Sequence, residues 1–250
     1  MNNKNRQGRI TSSNAHKLIK PGRGKDKEFS APGLTYIQEK QIERRINSCL
    51  DADGAYSQGM AWGNFCEMVI YSLLGIEYQI SSKETFKHPK HGEIWAGSPD
   101  LIIENVLIGE IKCYQKKKFA LYTDLLTKPL TENYSLEDKL NDFKKDFAQE
   151  YWQIVSNASI LGVTQGEAIT YMPYESEHSN IVDIAESIDG AEQWKYRFIA
   201  EKPIEHLPFL PDGGHYENVN KFRFDIPAED LQLLEDRVIK AGELIKNYKL

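Results

Sequence analysis

The sequence predicts an α/β fold of the α+β type, with a central mixed β-sheet flanked by helices. Three observations point to it. Residues 98–112, SPDLIIENVLIGEIK, hold two short apolar runs around a polar Glu104-Asn105, the pattern of a hairpin. Strand-like runs recur at 167–172, 194–200 and 221–226. Around them, residues 33–50, 56–74, 140–161 and 230–249 read as helices from their apolar spacing. One domain over 1–250 is the economical organisation, since there is no internal repeat and no long low-complexity linker.

Taken in order, RQGRITSSNAHKLIK reads as a short strand entering a helix, with Thr11, Ser12 or Ser13 as N-cap and Pro21-Gly22 as its stop. A polar loop over 25–32 leads to the helix at 33–50, with Arg44 and Arg45 expected to be exposed, and residues 51–54 punctuate the chain. The segment 56–74 is apolar on nearly every side and reads as a buried helix with one carboxylate, Glu67, in its middle. Alternation over 76–89 suggests a strand, and a loop to Gly92 leads to a second strand from Trp95 to Asp100. His88 and His91 flank that loop and read as solvated, having no Cys or third His nearby. After the hairpin, Lys116, Lys117 and Lys118 interleave with Tyr114, Phe119 and Tyr122, a weak match to a nucleic-acid groove. A long helix over 140–161 carries Gln153, either to orient a water or phosphate or simply as a solvated residue. The chain closes in an amphipathic helix with Leu231, Leu234, Val238, Ala241 and Ile245 on one face.

Composition narrows the functional class. With 250 residues, 40% hydrophobic and 27% charged, the chain has ample material for a core. No apolar run reaches membrane-spanning length and the N-terminus lacks a signal-peptide core, so an intracellular protein is expected. Cys49, Cys66 and Cys113 are too few and too scattered for a disulfide framework or a metal cluster and read as reduced packing residues. The net charge of −6 hides an asymmetry: residues 1–48 hold eleven Lys and Arg against four Asp and Glu, or +7, leaving −13 for the remainder. A local basic excess suits a phosphate-backbone surface, because screening makes attraction local, but it also suits a merely solvated arm.

In the hairpin at 98–112 the outer ends meet, bringing Asp100 near Glu110, while period-two alternation places Lys112 on the same face as Glu110. Two adjacent carboxylates are tolerated when a divalent cation lies between them, whereas charged strand ends on a surface hairpin need no cation. A two-residue turn at Glu104-Asn105 sets Asp100 opposite Gly109, and a three-residue turn or a bulge at Gly109 sets it opposite Glu110. Glu67 raises the same question, since a lone buried carboxylate needs a partner, a proton or a cation, unless it emerges at the helix end.

The ordered set of Glu67 on a helix, Pro99-Asp100, Glu110-Ile111-Lys112 and Gln153 on a later helix resembles the PD-(D/E)xK nuclease superfamily, with its restriction-endonuclease-like core. RQGRITSSNAHKLI followed by AWGNFCE is similar to the lambda exonuclease (YqaJ-type) family of phage recombination nucleases. The resemblance covers residues 6–112 well and 145–172 more loosely. It implies that Asp100, Glu110 and the main-chain carbonyl of Ile111 bind Mg²⁺, with Mn²⁺ able to substitute, and that Glu67 completes the acidic site directly or through water. It further implies that Lys112 positions or activates the attacking water, Gln153 holds the geometry, and Arg6 and Ser13 contact a 5′-terminal phosphate. The implied activity is 5′-to-3′ digestion of one strand of duplex DNA, leaving a 3′ tail for an annealing protein, by a trimeric ring in the cytoplasm of a bacterium or phage-infected host cell. An endonuclease of the same fold with a restriction or repair role, or an inactive DNA-binding module, are the alternatives. Glu150 departs from the family in standing where a tyrosine is usual, and few residues precede Arg6.

Overall fold

The computed structural model describes residues 4–24, 28–50, 57–81, 84–190 and 193–246. A two-residue strand β1 (Ile10–Thr11) runs into a 3₁₀ turn (Ser12–Asn14) and a single helical turn α1 (His16–Ile19). Helices α2 (Ala31–Ile46) and α3 (Gln58–Ile70) follow, then the short strands β2 (Gln79–Ile80), β3 (Phe86–Lys87) and β4 (Trp95–Gly97). The hairpin is β5 (Leu101–Ile103) and β6 (Leu107–Lys112), after which come α4 (Lys116–Thr127), α5 (Leu136–Asp146) and α6 (Ala148–Leu161). Strand β7 (Gln165–Tyr171), helices α7 (His178–Ser187) and α8 (Gln193–Glu201), strand β8 (Val219–Asp225) and helix α9 (Ala228–Lys246) complete the order.

The expected mixed sheet is present, in the order β2-β5-β6-β7-β8. Its centre is the parallel pair β6 and β7, and every other pairing is antiparallel. A parallel pair needs a crossover, which α4, α5 and α6 supply. A smaller sheet, β1-β4-β3, lies beside it. Side-chain alternation along β6 divides the interior: Ile108 packs with Ile154, Val155 and Ala158 of α6, and Ile111 packs with Trp62, Phe65 and Cys66 of α3 on the other face. Glu110 and Lys112 therefore share the α6 face with Ile108.

Several expectations change where tertiary packing overrules local pattern. The first helix shrinks to one turn, and Thr11 makes no side-chain cap to the 3₁₀ turn that precedes it. Helix α2 begins at Ala31, capped by Ser30 with Pro32 in its first turn, and ends at left-handed Asn47. Arg45 is exposed as expected, but Arg44 is half-buried and donates to the carbonyls of Gly8 (2.8 Å) and Glu93 (2.7 Å). Residues 51–54 lie outside the described residues. Helix α3 is not buried all round, since Met60 and Met68 are exposed.

The strand expected over 76–89 is two short strands in different sheets, and that expected at 95–100 ends at Gly97. His88 is not solvated: it is buried, stacked at 4.7 Å on Trp95 and at 5.0 Å on His91, and its Nδ1 accepts from the Lys90 and His91 N–H groups. The long helix at 140–161 breaks into α5 and α6 at Phe147, whose ring packs edge-on against Tyr122 at 4.8 Å. Residues 194–200 are helical, because Tyr196 and Ile199, three apart, face inward while Trp194 is exposed. The strands read at 167–172 and 221–226 are present as β7 and β8, each starting two residues earlier, and the closing helix is present from Ala228.

Gly97 lets β4 lie against α6. A Cβ there would overlap Ser12 Oγ and Asn157 Oδ1 and come within 2.8 Å of Ile160 Cδ1. Gly97→Ala is expected to cost about 1–3 kcal/mol by overpacking, measured as a lowered midpoint in urea denaturation.

Candidate active site at the hairpin end

Strands β5 and β6 are joined by Glu104, Asn105 and Val106, with Asn105 in the left-handed region (φ 58°). The Val106 N–H returns to the Ile103 carbonyl at 3.0 Å. This three-residue turn pairs Leu101 with Gly109, so continuing the register sets Asp100 opposite Glu110. Gly109 is paired within the ladder and needs no bulge. Both carboxylates consequently point to the α6 side of the sheet.

Glu110 is buried and held from several directions. Its Oε1 accepts from Lys112 Nζ at 2.6 Å and from Gln153 Nε2, and its Oε2 accepts from Asn157 Nδ2 at 3.4 Å. Lys112 Nζ also reaches Gln153 Oε1 at 3.3 Å. Asp100 Oδ2 takes the Ile111 N–H at 2.8 Å, which ties its carboxyl to the strand that carries Glu110. Gln153, one of the two readings left open for this residue, is buried and faces the site rather than solvent.

The electrostatics follow from crowding acids in a dry place. Burial, then the neighbouring Glu110 charge, push the Asp100 carboxyl well above its ordinary range. Burial also raises Glu110, against the pull of Lys112, and the Glu67 charge raises it further. For Lys112, burial works to lower its pKa, but the charges of Glu110 and Asp100 outweigh it and hold the ammonium protonated. Glu67 lies at the rim from α3 on the opposite face, its Oε1 accepting from Tyr71 OH at 2.5 Å. Lys112 thus offsets the crowded charges of Glu110 and Asp100, while Glu67 adds negative charge from the rim.

Among the described residues, no group of three or more His, Cys, Asp or Glu side chains is gathered as a cage for a metal ion. Mg²⁺ does not require one, because it keeps several waters and binds through one or two carboxylates together with substrate phosphates. The hard oxygen donors Asp100 and Glu110, both raised chiefly by burial, with the Glu110 charge adding to Asp100 and the Glu67 charge to Glu110, fit that cation. The Ile111 carbonyl lies on the strand between Glu110 and Lys112, and Glu67 stands farther out.

The N-terminal segment reaches this site through Ser12, whose Oγ accepts from Ser156 Oγ of α6 at 2.9 Å. Ser13 is half-buried beside it, its Oγ 3.4 Å from Thr11 Oγ1. Arg6 is half-buried, and its side chain makes no hydrogen bond or ion pair among the described residues. Arg9 is turned inward to the carbonyls of Gly92 (2.7 Å), Lys4 (3.0 Å) and Asn5 (3.1 Å). Lys40 forms a buried pair with Glu43 at 2.7 Å. The basic excess of residues 1–48 is therefore partly internal, and the outward share is smaller than the sequence count.

The Tyr114-to-Tyr122 run does not form an exposed stacking groove. Phe119 and Tyr122 are core residues, while Tyr114 OH and Lys118 Nζ (2.7 Å) both donate to buried Glu150. Burial opposes the ionised form of Glu150, but these bonds outweigh it and lower its pKa. Three residues near the site went unread in the sequence: Tyr71, Ser12 as a structural link, and Asn157. The signal for Asn157 was available, since it follows Gln153 by four positions and shares its helix face.

No protein-family model matches the chain, and no curated protein matches its sequence. Solved structures do match in shape. LHK-Exo in complex with dAMP superposes with a TM-score of 0.59 at 12% identity, covering 97% of this chain and 90% of its own. The alkaline exonuclease LHK-Exo from Laribacter hongkongensis gives 0.55 at 12% identity, covering 96% and 91%. A phage-related exonuclease from Haemophilus somnus 129PT gives 0.57 at 14% identity, covering 95% and 93%. The chain has the fold of these exonucleases over nearly its whole length, with the mixed sheet and flanking helices expected from sequence.

The raised Asp100 carboxyl has a consequence for stability. As pH rises above the ordinary aspartate range, the unfolded chain loses this proton first, so the folded state loses stability until Asp100 itself ionises. With metal removed by chelator, Asp100→Asn is expected to melt higher than the parent at pH 7–8, with the difference vanishing below about pH 4. Thermal denaturation across that range measures it, and a parent that melts as high as the variant at pH 8 contradicts the proposed crowding.

Proposed function

We propose that this protein is a divalent-metal-dependent exonuclease of the lambda exonuclease (YqaJ-type) family that degrades duplex DNA from 5′ to 3′. The observation that carries the reading is the placement of Asp100 directly across from Glu110, with Lys112 Nζ 2.6 Å from Glu110, at one end of the central strands. The fold shared with the alkaline and phage-related exonucleases supports it.

In this reading Asp100, Glu110 and the Ile111 carbonyl hold Mg²⁺ or Mn²⁺, with Glu67 joining directly or through water. The cation supplies Lewis acidity and charge neutralisation at the scissile phosphate and lowers the pKa of a bound water. The chain's own groups provide position. Gln153 and Asn157 fix the two oxygens of Glu110, and the Ile111 N–H fixes Asp100 Oδ2. Lys112, held protonated by its acidic neighbours, orients the water and donates hydrogen bonds to the phosphate as charge builds on it. Ser13, next in the chain to Ser12, and Arg6 bind the 5′-terminal phosphate in this reading. The partners are duplex ends and a single-strand annealing protein, within recombination in the cytoplasm of a bacterium or phage-infected cell, and the working form is a ring of three subunits. Among the described residues no helix is long and apolar enough to cross a membrane.

The test is digestion of 5′-labelled linear duplex with and without Mg²⁺. Release of nucleotides from linear duplex, and none from a covalently closed circle, is the expected result. Cutting of the closed circle points to an endonuclease of the same fold instead. Asp100→Ala and Glu110→Ala should each lower the metal-dependent rate on the order of 100-fold or more with duplex binding retained. Lys112→Ala should lower the rate comparably while leaving metal affinity, read by calorimetry, in place. A variant of either acid that cuts at the parent rate removes the site.

A further inference from the structure

A line of buried donors runs from the small sheet to the candidate metal site. Trp95 Nε1 donates to Ser156 Oγ at 2.9 Å, and Ser156 Oγ donates to Ser12 Oγ at 2.9 Å. An indole is a donor only, so Ser156 accepts from Trp95, and its own hydrogen is directed to Ser12. The Ser12 hydroxyl hydrogen is then left over. The acceptor beside it is Asn157 Oδ1, which is buried and has no partner among the described residues. Ser12 Oγ and Asn157 Oδ1 crowd the same point over Gly97, where a Cβ would overlap both.

The other end of Asn157 faces Glu110. Glu110 accepts from Lys112 and Gln153 at Oε1, so the Asn157 amide must present its NH₂ to Oε2, which it does at 3.4 Å, a long bond. All four residues of this line, Trp95, Ser156, Ser12 and Asn157, are essentially sealed from solvent. A single missing link, Ser12 to Asn157, separates a continuous chain from Trp95 to the Glu110 carboxylate. Closing it polarises the amide and strengthens its bond to Glu110, because hydrogen bonds in series reinforce one another. Ser12 is the immediate neighbour of Ser13, so a small movement of the N-terminal segment toward a bound anion is enough to act on that link.

We propose that Asn157 is a positioning residue that couples occupation of the N-terminal phosphate-binding segment to the Glu110 carboxylate, through Ser12. The idea rests on the exonuclease reading above and adds to it a reason why cleavage depends on the chemistry of the captured end. With a 5′-phosphate engaged, Ser12 donates to Asn157 and Glu110 is held for metal binding. With a 5′-hydroxyl end, the link stays open and Glu110 is held less firmly.

The experiment compares initial rates on linear duplexes that differ only in a 5′-phosphate or 5′-hydroxyl terminus, for the parent, Ser12→Ala and Asn157→Leu, with thermal melting to confirm folding. The parent is expected to favour the phosphorylated end about tenfold, within the usual range of site-to-site coupling. Both variants should bring that ratio to within about twofold of unity, and the Mg²⁺ concentration for half-maximal rate should no longer differ between the two ends. A purely structural role would lower both rates together and leave the ratio intact, and that result overturns the coupling while leaving the exonuclease reading standing. A parent with no exonuclease activity on linear duplex overturns the reading itself, and a parent indifferent to the terminal phosphate overturns the coupling. Ser12→Ala removes one oxygen and carries the test alone if Asn157→Leu does not fold.

Discussion

Glu110 is a buried carboxylate, and the need to satisfy both of its oxygens shapes what surrounds it. An ionised carboxylate taken out of water is tolerated only with donors and a counter-charge close by. Lys112, two residues on along the same strand face, supplies the charge, and Gln153 and Asn157 on one face of α6 supply the remaining donors. For those amides to reach, α6 must lie close over the sheet. Gly97 and Gly166 make that approach possible, since a Cβ at either would collide with α6 or its neighbours. The same face brings Asp100 across from Glu110, adding a repulsion that the folded protein alone does not relieve.

The N-terminal segment is bound into this arrangement rather than extended from it. Glu43 accepts from Lys40 and from the Gly8 N–H at 2.7 Å, and Tyr36 OH accepts from the Thr11 N–H at 2.8 Å. Arg9 and Arg44 pin the segment through backbone carbonyls. Part of the segment's charge is internal, at Lys40 paired with Glu43 and at Arg9 and Arg44 turned to backbone carbonyls, while Ser12 meets α6 at Ser156.

The legible parts were those with strong local signals. Apolar alternation around a short polar turn identified the hairpin, and period two placed Glu110 and Lys112 on one face. The strands at 165–171 and 219–225 and the closing helix carried equally plain patterns. Misreadings fell where a pattern fits two structures: WKYRFIA alternates like a strand, yet Tyr196 and Ile199 face inward at helical spacing. The break at Phe147 is hidden because apolar spacing continues through it, although its backbone leaves the helical region (φ −132°, ψ 50°) where its ring packs on Tyr122. His88 read as a loop residue, but a flat ring that can stack on Trp95 gains more from burial than from water.

Residue order and alternation by themselves determined the fold class, the hairpin, and the sharing of one strand face by Glu110 and Lys112. They left the register open, because turn length is chosen by whether Asn105 adopts a left-handed conformation, an energy difference that no apolar pattern records. They also left Asn157, Ser12 and Tyr71 unremarked, since a buried hydrogen bond joins residues far apart in the chain and depends on which helix face meets which strand. Tertiary structure decided those matters: once α6 is packed on β6, the donors of one become the partners of the other.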